Sequence, residues 1–284
     1  VEGFNAEAQK TILHAWKAGP DTVALRAQLQ AMPDGGVFVL SIPRAPYRCP
    51  PGPYERVCQV ANYLKSSKPK SKIIVLDANE NIVSKPALFR AAWDNYYKGM
   101  IDYRPNAEVK KVDAAAKTVS TDFDTVKGDV LNVLPPMRAG DIAQKAGLIT
   151  ANNRWCGVDW LTMESIARKE IHVLGDSTLS APAMPKSGHM ANQHGKIAAA
   201  AVTALMTGKP VNTDPVIANT CYSFTSERHA IHVASVHRYD AAQKTLVTVP
   251  GSGGISAPNA EQTYQLEHSY AEAWARNVWA DMLS

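Results

Sequence analysis

Between Ile171 and Leu205 the chain reads IHVLGDSTLSAPAMPKSGHMANQHGKIAAAAVTAL, and this stretch restricts the fold more than any other. A short apolar run, Ile171 to Leu174, predicts a buried strand that ends on Gly175-Asp176. A loop rich in Pro, Ser and Met comes next, and then an Ala-rich segment predicts a long helix starting near Gly188. Strand, acid, loop and helix in that order describe an α/β unit, in which an acid at the carboxyl end of a strand sits where such sheets take ligands. Asp176 there reads either as a turn-capping carboxylate or as an acceptor for a sugar or ribityl hydroxyl. Pro185 and Gly188, flanking the start of a helix whose N–H groups are unpaired, tip the segment toward a flavin site.

The rest of the chain supplies more of the same architecture. Glu7 to Met32 predicts two helices broken at Gly19-Pro20; GVFVLSIP and SKIIVLD predict parallel strands; and Pro53 to Lys65 predicts the helix between them. The turn after the first of these strands, SIPRAPYRCPPGPYER, has one glycine and many prolines, so it lacks the N–H groups that cradle a pyrophosphate. This half therefore has a dinucleotide fold without an expected NAD(P) site. Further on, Lys85 to Tyr97 predicts a helix, Met100 to Thr125 short strands in a meander, GDVLNVL a buried strand, Ala139 to Ala146 a short helix, and the region around Asn152 a surface loop. Ala218 to Asp240 and Thr245 to Val249 predict strands, and Glu261 to Leu283 a terminal helix docked on the core through Trp274, Val278 and Met282.

Composition narrows the function classes. Of 284 residues, 45% are hydrophobic and 20% charged, an ordinary globular balance. The net charge of +4 is small, and Lys65, Lys68, Lys70 and Lys72 read as a solvated loop, so nucleic-acid binding is not expected. No run is long enough to span a membrane, and Ala273, Arg276, Asn277 and Asp281 make the terminal helix a poor membrane face. Four cysteines, Cys49, Cys58, Cys156 and Cys221, match no zinc spacing and leave three pairings open. Cys58 and Cys156 read as buried small apolar residues, whereas Cys49 stands at a proline-framed turn before a helix, where a thiol is exposed and acidified. His189 and His194, five apart, face different sides of a helix, so no metal site is expected.

PYRCPPGPYER at Pro46 to Arg56, MPKSGHMANQHGK at Met184 to Lys196 and NTCYS at Asn219 to Ser223 resemble the flavoprotein subunit of flavocytochrome c sulfide dehydrogenase. More distantly they resemble sulfide:quinone oxidoreductases and the flavin disulfide reductases. The resemblance runs through the whole chain in order. It implies dinucleotide-binding-like, Rossmann-type domains with a C-terminal α+β interface domain. The expected division is a second, NADH-like domain at 1–138, the returning half of an FAD domain at 139–209, and the interface domain at 210–284.

The resemblance also implies a redox disulfide between Cys49 and Cys221 beside FAD, with sulfide as substrate and Glu55 as acid/base, although a first-turn acid such as Glu55 also suits a helix dipole. It matches Asp176 to the flavin-ribityl carboxylate, and Lys186, Ser187, Gly188, His189 and Met190 to the segment against the isoalloxazine. It implies electron transfer to a c-type cytochrome subunit in the periplasm. With no C-x-x-C-H in the chain, any haem is expected on that partner. The family's opening GxGxxG segment has no counterpart here, so the expectation is either a piece of a longer protein or a truncated homologue. The alternative functions are a sulfide:quinone oxidoreductase at a membrane surface and a non-catalytic remnant that binds a partner.

Overall fold

A computed structural model describes residues 1–283. The chain divides into two compact units, the first formed by Val1–Ala45, Pro51–Pro136 and Phe224–His229, the second by Pro46–Pro50, Met137–Ser223 and Ala230–Ser284.

In the first unit four strands form a parallel sheet in the order β3-β2-β1-β7: β1 (Val37–Ile42), β2 (Lys72–Asp77), β3 (Ile101–Arg104) and β7 (Val130–Val133). The apolar runs of the central strands β1 and β2 reflect burial on both faces, with Phe38, Leu40, Ile73 and Val75 fully buried, whereas the edge strand β3 has no buried residue. Helix α1 (Pro20–Ala31) precedes β1; α2 (Gly52–Ser67) and α3 (Pro86–Tyr96) are the crossovers, each with proline in its first turn. Three short antiparallel strands, β4 (Lys111–Asp113), β5 (Thr118–Ser120) and β6 (Thr125–Lys127), form the meander. The segment expected to be all meander thus gives its first strand, β3, to the parallel sheet.

The expected helix before Gly19 is reduced to a single 3-10 turn, Ala8–Lys10. The extended segment Leu13–Trp16 beyond this turn is pinned by side chains instead. Asn132 in β7 donates to the Leu13 carbonyl at 2.6 Å and the His14 carbonyl at 2.9 Å. Arg56 donates to the His14 and Ala15 carbonyls and to Asn132 Oδ1, with its guanidinium over the Trp16 ring. These bonds hold Ala15 at a positive φ of 47° and press Phe4, Ala8 and Ile12 into the core between sheet and meander.

Asp77, at the carboxyl end of β2, is fully buried. It accepts from Tyr54 Oη at 2.7 Å, Tyr103 Oη at 2.9 Å, and both the backbone N–H and the side-chain amide of Asn79. The acid that a dinucleotide domain presents to a ribose is here filled by protein donors.

The second unit carries α4 (Asp141–Lys145), the long α5 (Gly188–Met206), the strands β8 (Val216–Phe224), β9 (Ala230–Asp240), β10 (Thr245–Thr248) and β11 (Gly254–Ile255), and α6 (Glu261–Leu283). β9 pairs with β8, β10 and β11. Two expectations are corrected. Residues 171–174 form no strand: they meet 163–165 through one isolated bridge, His172 to Glu164, with the Ser165 N–H on the Ile171 carbonyl and the Val173 N–H on the Met163 carbonyl, and Leu174 is 43% exposed. On α6 the buried residues are Glu267 and Ala271; Trp274 and Val278 are half-buried and Met282 is exposed.

Replacing Asn132 with Ala removes the amide donor from the Leu13 carbonyl, leaves the His14 carbonyl to Arg56, and takes the Oδ1 acceptor from Arg56. Unfolding in urea should show a loss of about 2–4 kcal/mol, whereas a water O–H that replaced the amide donor equally well would leave stability unchanged.

Candidate functional site

The site is built around the head of α5. Ser187 is its N-cap: the Oγ accepts from the Met190 N–H at 3.0 Å. The same hydroxyl donates to Asn219 Oδ1 at 2.6 Å, and Asn219 Oδ1 lies 3.5 Å from Cys221 Sγ. Residues 219 and 221 share one face of β8, since side chains alternate along a strand. One residue before the cap, the Lys186 carbonyl accepts the Cys49 N–H at 2.7 Å.

Cys49 itself sits at φ 58°, the left-handed region, within a pentapeptide that belongs to the second unit. Arg154 donates to the Pro46 carbonyl, the Arg48 N–H points to Met137 Sδ, and Tyr47 is buried with its hydroxyl on the Pro50 carbonyl. Cys49 and Cys221, 172 positions apart in sequence, are therefore tied to consecutive residues, Lys186 and Ser187. Both are half-buried thiols.

Asp176 lies in a 3-10 turn, Gly175–Ser177, opened by Gly175 at φ 67°. Its Oδ1 is buried and accepts no hydrogen bond among the described residues. Burial pushes the Asp176 carboxyl up from its usual range, against the opposing pull of Arg48 and Lys186. The Lys186 ammonium is buried, donates to the Asp176 and Thr178 carbonyls, and stands 3.8 Å from the Trp155 ring centroid. Burial lowers its pKa to about 8. The lysine thus braces the turn that presents Asp176.

The two histidines of α5 are each fixed in one tautomer. His189 Nδ1 accepts the Thr220 N–H and His194 Nδ1 the Gly175 N–H, so each carries its proton on Nε2. Burial lowers the His194 pKa to about 4. Its Nε2, Trp155 Nε1 and Asn219 Nδ2 are buried and without a partner among the described residues. Space beside Gly188 is open.

Glu55 stands in the first unit, where its carboxylate accepts the Phe224 N–H at 2.9 Å. Cys58 is buried under the Trp93 indole N–H, and burial pushes its thiol up to about 12; burial also raises Cys156. Sequence reasoning passes over Asn219, Trp155 and His194 as parts of the site. Asn219 alone carries a signal, the two-residue spacing from Cys221.

Residues 22–135 match the family model described as "Sulfide dehydrogenase [flavocytochrome c] flavoprotein chain, central", and residues 213–283 match "Flavocytochrome c sulphide dehydrogenase, flavin-binding". The chain belongs to this flavoprotein family. Among solved structures, a chain of the Tetrahymena thermophila mitochondrial ATP synthase is similar over 83% of this chain and 60% of its own, at 18% identity and a TM-score of 0.61. A NAD-dependent persulfide reductase from A. fulgidus is similar over 96% of this chain and 54% of its own, at 11% identity and a TM-score of 0.50. These likenesses concern the fold, which is that of Rossmann-type domains with an added sheet domain, and this chain spans less than two thirds of either relative.

FAD is the family's cofactor, and the site fits it. A ribityl hydroxyl can donate to the unpartnered Asp176 Oδ1, and the unpartnered N–H groups of Trp155, His194 and Asn219 call for acceptors of the kind a flavin carries.

His194 gives a pH prediction. With its folded pKa near 4 and its ordinary value 6.5, the unfolded chain binds a proton that the folded chain refuses between those values. Stability should therefore fall as the pH drops from 6.5 to 4, less steeply in His194→Asn, and ¹⁵N spectra at pH 5 should show a neutral His194 ring protonated on Nε2. A charged ring at that pH would contradict this.

Proposed function

We propose that this protein is the flavin-carrying chain of a sulfide dehydrogenase, oxidising sulfide through a Cys49–Cys221 disulfide and passing electrons to a c-type cytochrome subunit in the periplasm. The observation that carries the reading is the shared anchorage of the two cysteines at Lys186 and Ser187, next to a carboxylate oxygen that lacks a donor. Family membership supports the substrate and the electron acceptor.

The chemistry balances on protein sulfur. Hydrosulfide attacks one sulfur of the disulfide; a new S–S bond forms as the old one breaks. The attacked cysteine becomes a persulfide, and the other leaves as a thiolate with the electron pair of the broken bond. Bound FAD supplies a two-electron acceptor that releases electrons one at a time.

The remaining tasks fall to this chain's own groups. Asp176 orients the ribityl chain, and the Ser187 cap keeps the N–H groups at the head of α5 directed at the ligand. In the first unit, Asp77 has no acceptor capacity left for a ribose, which supports the absence of a nicotinamide step.

The test is an absorption spectrum of the chain supplied with FAD, before and after anaerobic sulfide. A flavin band should be retained and should bleach. Cys49→Ser and Cys221→Ser should keep the band and abolish the bleaching, and Asp176→Asn should weaken FAD retention about tenfold. A colourless protein, or serine variants that bleach like the parent, would overturn the proposal.

A further inference from the structure

Helix α6 is 23 residues long, yet only two of them are buried, and one is the carboxylate of Glu267 at 4% exposure. Its large apolar residues Leu266, Tyr270, Trp279 and Met282 face outward. A helix is normally docked by an apolar stripe. Besides Ala271 and the bonds from Asn192 and Lys196 to Asp281, the docking point here is an acid, which is stable in that position only because its oxygens are filled.

The partners come from two strands. Ser256, buried just after β11, donates its hydroxyl to Glu267 Oε2 at 2.6 Å and accepts the His232 N–H at 2.7 Å. His232 Nδ1 in β9 stands 2.9 Å from Glu267 Oε1. Serine, histidine and glutamate invite comparison with a hydrolytic triad, but the arrangement differs. The hydroxyl and the carboxylate both sit at Nδ1 of the imidazole, at 3.1 and 2.9 Å, so Ser256 is not the hydroxyl that a triad poises on Nε2.

The network instead reaches β8. The His232 ring lies 6.0 Å from the ring of Tyr222, and Tyr222 lies 6.2 Å from Trp274 one helical stretch further along α6. Trp274 in turn meets His189 edge-on at 5.8 Å, and His189 holds the Thr220 N–H. Tyr222 and Thr220 are the two chain neighbours of Cys221.

We infer that Glu267 is a positioning residue for Cys221: by fastening α6 to β9 and β11 it fixes the Tyr222–Trp274–His189 ring series that braces β8 on both sides of the cysteine. This assignment rests on the reading of Cys221 as the reacting cysteine, but its test does not require flavin or sulfide. Loss of the carboxylate frees α6 and relaxes the β8 segment, changing access to the Cys221 sulfur. Glutamine preserves the arrangement, since its amide oxygen can accept from His232 Nδ1 while its NH₂ donates to Ser256 Oγ.

The experiment compares the parent chain with Glu267→Ala and Glu267→Gln, following hydrogen exchange of α6 and iodoacetamide alkylation of each cysteine by peptide mass spectrometry. In Glu267→Ala, exchange around Ala271 should rise about tenfold and the Cys221 rate should change about threefold relative to Cys49 in the same sample. Glu267→Gln should restore both. Ser256→Ala, which removes the network from the strand side and keeps the helix intact, should move both readouts in the same direction by less. An unchanged Cys221-to-Cys49 ratio in Glu267→Ala with a loosened helix, a glutamine variant that behaves like alanine, or a silent Ser256→Ala would each overturn the assignment. Failure of sulfide to bleach the flavin, with these results intact, would instead strike the proposed reaction.

Discussion

The second unit depends on the first residues of one helix. Ser187 closes the open end of α5, and the same hydroxyl reaches Asn219, while the preceding carbonyl takes the N–H of Cys49. An N-cap ordinarily contributes about 0.5–2 kcal/mol and concerns one helix. Here the cap hydroxyl also holds Asn219, and the carbonyl before it, with Arg154 and Met137, holds the pentapeptide Pro46–Pro50, which groups with the second unit although the residues on either side group with the first. The head of one helix thus touches both the turn that carries Cys49 and, through Asn219, the strand that carries Cys221.

How much of this was legible in the sequence depends on the kind of force involved. Strands β1, β2 and β7 were legible because burial on both faces demands continuous apolar runs, and the limits of α6 were legible from its flanking turn residues. Ile171 to Leu174 has the same apolar look, but its pairing with residues 163–165 stops at a single bridge, and composition cannot tell how far a pairing extends. The helix expected near Ile12 is lost to long-range bonds from Arg56 and Asn132, contacts that no local propensity encodes.

At the site, residue types were legible and their pairings were not. Nothing in the residues themselves selects Cys49 and Cys221; the family resemblance suggests the pair, and the geometry ties them to neighbouring residues. The resemblance matches Lys186 to the segment against the isoalloxazine, and the geometry adds what no motif carries, that its ammonium donates to the Asp176 and Thr178 carbonyls. Glu267 was invisible because periodicity searches look for apolar residues on the buried side of a helix, and the buried residue here is charged.

The filling of Asp77 by Tyr54, Tyr103 and Asn79 bears on the evolutionary reach of this scaffold. To read a nucleotide again, the first unit would have to give up both phenols and rebuild a proline-rich turn with glycines. Each step taken alone leaves a buried carboxylate short of a donor or a turn short of its restraint, so every intermediate is less stable than either end point. An acid enclosed by protein donors in this way belongs to the core it completes, and a change at Asp77 would register as lost stability.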